Sequence, residues 1–125
     1  MSRRLPAGFH SITPRIVVED VGALVHFLRV VFAATGELRV DGPSQLTIGD
    51  SVIMVSEAGP RPPFPAFLYV YVDDADATYT RSLDAGAISL EAVEEMPYGD
   101  RRGMVQDPFG NVWQIASHKP ANPTG

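Results

Sequence analysis

Phe67, Tyr69 and Tyr71 stand at alternate positions of one short apolar stretch, so in a strand they share a face and form an aromatic stripe. Such a stripe can stack a flat ligand, with ring contacts worth ~0.5 to 1.5 kcal/mol beyond burial. The amide of Gln114 and the guanidinium of Arg15 are the polar groups that would orient it. The competing reading is a stripe that fills a closed core. Tyrosines are costly to bury without hydroxyl partners, which favours the binding surface. Arg15 likewise has two readings, an anion-binding group or a partner for one of the 15 acidic residues. Tyr98, Asp100, Arg101 and Arg102 fall on a loop where a ligand gate would be useful. Glu91 and Glu94 can act as bases only if they face the ligand, which the irregular Ala92-Val93 pair leaves open. The histidines, His10, His26 and His118, read as surface or terminal residues. Trp113 reads as core.

The rest of the inventory excludes several classes of chemistry. There is no cysteine, hence no disulfide framework, thiolate nucleophile or Cys-type metal site. No nucleophile-base pair, phosphate-cradling glycine loop or zinc signature is present. A net charge of −5 argues against nucleic acid, because phosphate binding draws on clustered Lys and Arg, and Arg3-Arg4 and Arg101-Arg102 are too short to reverse it. No apolar run approaches the ~20 residues that cross a bilayer, and the first residues carry no signal core, so a cytoplasmic protein without membrane contact is expected. With 45% hydrophobic and 20% charged residues, 125 residues suit one globular domain.

The elements that would position these side chains come in two similar series. Residues 11–18 read as a strand, with Pro14 placing it at a sheet edge. Asp20 then caps a helix in which Leu24, Phe27, Leu28 and Val31 follow the i, i+3, i+4, i+7 pattern, with Phe32 extending the stripe until Gly36 stops it. Short strands follow at 37–40, 44–48 and 51–56, divided by Asp41-Gly42-Pro43 and Gly49-Asp50. Gly59-Pro60-Arg61-Pro62-Pro63-Phe64-Pro65 suits a stiff extended connector. The order then repeats, with a strand at 67–72, an Asp73-Asp74 cap, a helix at 75–85 ended by Gly86, and strands at 88–94, 102–106 and 112–116. Between the last two, Asp107-Pro108-Phe109-Gly110-Asn111 supplies a fixed φ, an Asx acceptor and tolerance of φ > 0, which predict a tight turn. Beyond it Trp113 and Ile115 share one face, and Val112, Gln114 and Ala116 the other.

With the repeat and this hairpin in view, the chain resembles the vicinal oxygen chelate superfamily of glyoxalase I, bleomycin resistance proteins and extradiol dioxygenases. The resemblance spans residues 9–118. It rests on Val17-Val18-Glu19-Asp20 with Phe27 and Phe32, on Ile48-Gly49-Asp50-Ser51, and on Pro97-Tyr98-Gly99-Asp100-Arg101-Arg102 through Asp107-Pro108-Phe109-Gly110-Asn111-Val112-Trp113. The last stretch is most similar to the PhnB-like branch. The resemblance implies an α+β fold of two βαβββ modules, forming curved mixed sheets with helices on the convex side and a ligand in the concave trough, often at a dimer interface. Module one would cover 9–57, the connector 58–66 and module two 67–118, within a single domain flanked by flexible termini at 1–8 and 119–125. Parity then turns Ile12, Ile16 and Val18 towards the first helix and Thr13, Arg15 and Val17 into the trough. Leu68, Val70 and Val72 behave alike in module two, while Ile53 and Val55 pack outward and Val52, Met54 and Ser56 inward.

Metal-dependent members of the superfamily supply ligands from the first and last strand of each module. Those positions fall here on Thr13, Met54, Phe67 and Gln114, of which only Gln114 suits a hard or borderline divalent ion. Pro43-Ser44-Gln45 stands where a PhnB-like subset places a histidine. The expectation is a protein without metal or other cofactor, whose ligand-binding residues are Thr13, Arg15, Met54, Phe67, Tyr69, Tyr71, Tyr98, Arg102 and Gln114, with no catalytic residue assigned. By this resemblance it is a homodimeric small-molecule-binding protein that sequesters an antibiotic or aromatic metabolite. The alternatives are a metal-dependent lyase, isomerase or dioxygenase, and a metal-free catalyst using Arg15, a carboxylate and Tyr98.

Overall fold

The protein was analysed as a computed structural model, which describes residues 4–119. The chain divides into two compact units, residues 1–65 and 66–125. The flexible ends expected at 1–8 and 119–125 fall largely outside the described residues.

In the first unit β1 (Arg15–Val18) leads into α1 (Val21–Phe32), followed by β2 (Ser44–Ile48) and β3 (Ser51–Glu57). The sheet order is β1-β3-β2, with β1 parallel and β2 antiparallel to β3. Asp20 caps α1 as expected, its Oδ1 accepting the Ala23 N–H at 3.0 Å. Leu24, Val25, Phe27, Leu28, Val31 and Phe32 form the buried stripe. They meet Ile16, Leu46, Ile53 and Val55, and full burial of such side chains is worth ~1.5 to 3 kcal/mol each.

Three expectations for this unit need correction. The helix stops four residues before Gly36, at Phe32, where Ala33 takes the left-handed conformation (φ 55°) and its N–H bonds the Leu28 carbonyl. Gly36 serves a close approach instead: a Cβ there would stand 2.3 Å from the Gln45 carbonyl oxygen. The strand expected at 37–40 is absent among the described residues, so this unit is βαββ. Its pairing with β2 is reduced to one bridge, Thr35 with Thr47, and the Arg39 N–H that a ladder would use bonds the Ser44 hydroxyl at 2.9 Å. Finally, β1 begins at Arg15 rather than residue 11, because Pro14 has no N–H to extend the ladder, and Ile12 is exposed rather than packed on α1.

The second unit runs β4 (Phe67–Tyr71), α2 (Ala75–Asp84), β5 (Ile88–Glu95), β6 (Asp100–Gln106) and β7 (Val112–His118), in sheet order β4-β7-β6-β5. Only β4 with β7 is a parallel pair. Asp74 caps α2 through the Ala77 N–H. The buried face of α2 is Ala75, Thr78 and Ser82, small side chains that let the helix lie close to the sheet. Gly103 is the point of closest approach, where a Cβ would sit 2.9 Å from Tyr79 Cδ2 and 2.8 Å from Val93 Cγ2. Trp113, Ile115 and Val105 fill the space between.

The turn before β7 is held by one carboxylate. Asp107 Oδ1 accepts the N–H groups of Phe109 and Asn111, and Oδ2 accepts Asn111 Nδ2 and Trp113 Nε1, each at 2.9 Å. Asn111 Oδ1 in turn accepts the Ala66 N–H at 2.9 Å, fixing the start of β4. Trp113 is therefore core, as its parity predicts, and its indole N–H is satisfied there. No helix among the described residues is long and apolar enough to cross a membrane.

Candidate functional site

Strand register assembles the aromatic face of the second unit. Tyr69 pairs with Gln114, which pairs with Met104, and Tyr71 pairs with Ala116, which pairs with Arg102. Asp100 and His118 form the next rung. All point away from α2, whose side of the sheet carries Trp113, Ile115 and Gly103.

Asp100 organises this face. It is 1% exposed, yet its Oδ2 accepts the Tyr69 hydroxyl at 2.5 Å and the Tyr71 hydroxyl at 3.0 Å, and His118 Nδ1 lies 2.6 Å from Oδ1. The Tyr69 hydrogen bond, then that of His118, holds the carboxyl below its ordinary range in spite of burial. The group is an anion at neutral pH. Nδ1 of a neutral His118 therefore carries the ring proton, leaving Nε2 as a proton acceptor. Tyr69 spends its hydrogen on Asp100, so the 3.3 Å contact between the Tyr69 and Tyr98 hydroxyls has Tyr98 as donor. Burial and the Asp100 bond push the Tyr69 hydroxyl well above the usual tyrosine range, and the Asp100 bond raises Tyr71 too.

The two rings lie 5.3 Å apart at 53°, and His118 meets Tyr71 edge-on at 6.5 Å. Tyr69 is 38% and Tyr71 62% exposed, so their hydroxyls are fixed while the rings face solvent. The stripe does not fill a closed core. Phe67 continues it, also exposed, and Gln114 stands within it without joining the hydrogen bonds.

Arg102, from the predicted set, is buried on the same face. Its Nη2 donates to Glu91 Oε1 at 2.9 Å, which turns Glu91 towards this face. The register shifts of β5 on either side of Glu91 explain why strand parity left that carboxylate unassigned. Glu94 is exposed opposite Arg102. Burial opposes the Arg102 charge, but Glu91 and Tyr98 outweigh it and raise the pKa.

Thr13, Arg15 and Met54 belong to the first unit. Arg15 is paired in register with Met54, and its Nε donates to Ser56 Oγ at 2.7 Å rather than to a carboxylate. Two hollows open beside it, one of about 600 Å³ that includes Glu19, Asp20, Leu38 and Arg39, and one of about 350 Å³ lined by Val17, Arg61, Pro62 and Phe64. The larger of these two hollows belongs to the first unit, and the hydrogen-bonded aromatic cluster to the second. The cluster carries the stronger chemical signal, because buried charge and fixed rings there require a specific arrangement.

The residues at the family's metal positions do not fit a divalent ion. Phe67 has no donor atom, Met54 offers only a soft thioether, and Thr13 and Gln114 are neutral. Among the described residues no three His, Cys, Asp or Glu side chains gather into a potential metal site.

Pattern reading puts Asp100 on a gating loop and His118 among surface or terminal histidines, and so misses their pairing on this face. Both β6 and β7 extend two residues beyond the expected strands, and the Asp100–His118 rung lies in that extension. Continued alternation from Arg102 and Ala116 was the available signal.

Comparison with known proteins agrees with this architecture. Uncharacterized proteins of Mycobacterium bovis and Mycobacterium tuberculosis are 30% identical over 123 residues, covering 84% of this chain and 81% and 72% of theirs. Among solved structures, TioX from Micromonospora sp. ML1 is similar with a TM-score of 0.72 at 23% identity, over 90% of this chain and 99% of that one. A gene product of Arabidopsis thaliana gives 0.69 at 29% identity, over 86% and 98%. A glyoxalase/bleomycin resistance protein/dioxygenase family enzyme from Burkholderia phytofirmans PsJN gives 0.70 at 22%, over 84% and 95%, which speaks for the fold alone. The model of the Glyoxalase/Bleomycin resistance protein/Dioxygenase superfamily matches residues 8–115, and the chain belongs to that superfamily.

Proposed function

We propose that this chain is a PhnB-like member of the superfamily that binds a small, partly aromatic molecule without a metal ion and acts as a homodimer. One observation carries the reading: Tyr69 and Tyr71 expose their rings while a buried carboxylate anchors both hydroxyls. Rings fixed before a ligand arrives lose little freedom when it binds, so more of the stacking energy appears as affinity. The donor-poor set Thr13, Met54, Phe67 and Gln114 supports binding without metal over the lyase, isomerase or dioxygenase alternative. Sequestration of an antibiotic or aromatic metabolite is the corresponding role.

The test is a screen of small aromatic compounds by NMR on the full chain, repeated with EDTA and with Tyr69→Ala. Hits should shift Tyr69, Tyr71 and Gln114, resist EDTA, and bind roughly two- to tenfold more weakly to the variant, in line with ~0.5 to 1.5 kcal/mol of stacking. The variant should stay folded. Hits that leave Tyr69, Tyr71 and Gln114 unmoved, undiminished affinity in the variant, or binding abolished by EDTA, would refute the reading.

A further inference from the structure

We infer that Arg102 is the anchor for a carboxylate on the ligand of the second unit's aromatic face, an inference that rests on the binding role proposed above. A guanidinium has five N–H donors and no means of discharging itself inside a protein. Arg102 is 8% exposed and gives Nη2 to Glu91, but its Nε and Nη1 are buried with no acceptor. Two unsatisfied donor nitrogens on one buried cation are rare in folded proteins, where nearly every such group has a partner.

The neighbours that could have served are committed elsewhere. Asp100, two residues earlier on the same face, is occupied by Tyr69, Tyr71 and His118. Ala116, opposite Arg102 on β7, has no polar side chain, and its carbonyl receives the Val72 N–H. The next side chain along the face is the thioether of Met104, a weak acceptor. Tyr98 comes within hydrogen-bonding reach of the guanidinium and favours its charge, but it is not a partner of Nε or Nη1.

The Glu91 pair does not balance the site either. Glu91 is 47% exposed against 10% for the Arg102 side chain, so water screens the carboxylate far more than the guanidinium. An oxygen anion is the natural complement, because hydrogen bonds to an ionised pair are shorter and stronger than neutral ones. A monoanionic carboxylate fits better than a dianionic phosphate, since Asp100 and Glu91 already put two negative groups on this face. Access lies past Tyr98, an exposed side chain on the turn before β6 that approaches Arg102 and touches the Tyr69 hydroxyl at 3.3 Å. The ligand this describes is an aromatic carboxylic acid, ring on Tyr69 and Tyr71 and carboxylate on Arg102.

The probes are 2-naphthoate and its neutral analogue 2-naphthamide, titrated into the full chain by calorimetry, with the arginine Nε–H signals followed by NMR. Naphthoate should bind at least tenfold more tightly than naphthamide and shift the Arg102 Nε–H signal, assigned by its loss in Arg102→Lys. Arg102→Gln should bring naphthoate down to the affinity of naphthamide for the same variant, and Arg102→Lys should retain part of the preference. Equal affinity for the two probes, with shifts at Tyr69 and Tyr71 but none at Arg102 Nε–H, overturns the anchor and leaves the aromatic site standing. Water alone would then satisfy the guanidinium. No binding of either probe overturns both. The naphthoate-to-naphthamide ratio is measured on the wild-type chain alone, so that outcome does not depend on the variants folding.

Discussion

Asp100 accepts three side-chain donors while 1% exposed, and its titration is written into the stability of the fold. Its folded pKa lies below the ordinary value of about 3.9, chiefly through Tyr69 and then His118. A depressed carboxylate stabilises the folded state above the unfolded pKa, and that contribution disappears as pH falls through the folded pKa. Tyr69 and Tyr71 work in the opposite sense: their folded pKa values are raised, so their contribution is complete below about 10 and is lost as pH rises further. Urea midpoints measured from pH ~6 down to ~2 should fall steeply for the wild type. In Asp100→Asn, destabilised at neutral pH, the part of that acid limb due to Asp100 should be missing. An unchanged acid limb would mean that the cluster is not held as described. At this scale Phe67, Tyr69, Tyr71 and Gln114 were legible, since period-two alternation needs only a correct strand. Ionic partnership is set by register between strands far apart in sequence, which is why Asp100 and His118 escaped.

At the level of elements, helices and turns announce themselves through local chemistry. Asp20 and Asp74 cap as their positions imply, and Asp107-Pro108-Phe109-Gly110-Asn111 turns the chain. The segment 37–40 did not become a strand because its Arg39 N–H bonds the Ser44 hydroxyl instead of a strand backbone, and bridging to β2 stops at Thr35. Likewise Gly36 looked like a helix stop but is required by the Gln45 carbonyl, a contact no local pattern contains. The Asp107 turn yields a direct prediction. Asp107→Ala leaves four donors without their acceptor, those of Asn111 and Trp113 buried. At ~1 to 3 kcal/mol for a buried orphan donor, the variant should lose about 3 kcal/mol or more of a typical ~5 to 15. Denaturant titration with an unchanged slope measures this. A loss under about 1 kcal/mol would show that the turn holds itself without the carboxylate.

For the whole molecule, the repeated order of elements was readable because each series carries its own cap, helical stripe and alternating strands. The family followed from motifs in both halves. Assembly is a different matter, because a surface that meets a second copy has the same composition as one that meets water. β1 and β2 end the three-stranded sheet and β4 and β5 the four-stranded one, and a second copy is the proposed cover for such edges. Sedimentation at tens of micromolar should give twice the 13.5 kDa chain mass. A species of single-chain mass at that concentration would remove the dimer from the proposal.

The one tryptophan in the chain, Trp113, is sealed in the second unit with its indole N–H on Asp107. Its fluorescence is therefore a private channel to residues 66–125, while far-UV ellipticity reports on both units. Unfolding will move the emission to the red as the indole meets water. If the two optical transitions coincide in denaturant, the halves melt as one cooperative body, and if they separate, the spacing measures how independently each half holds its structure.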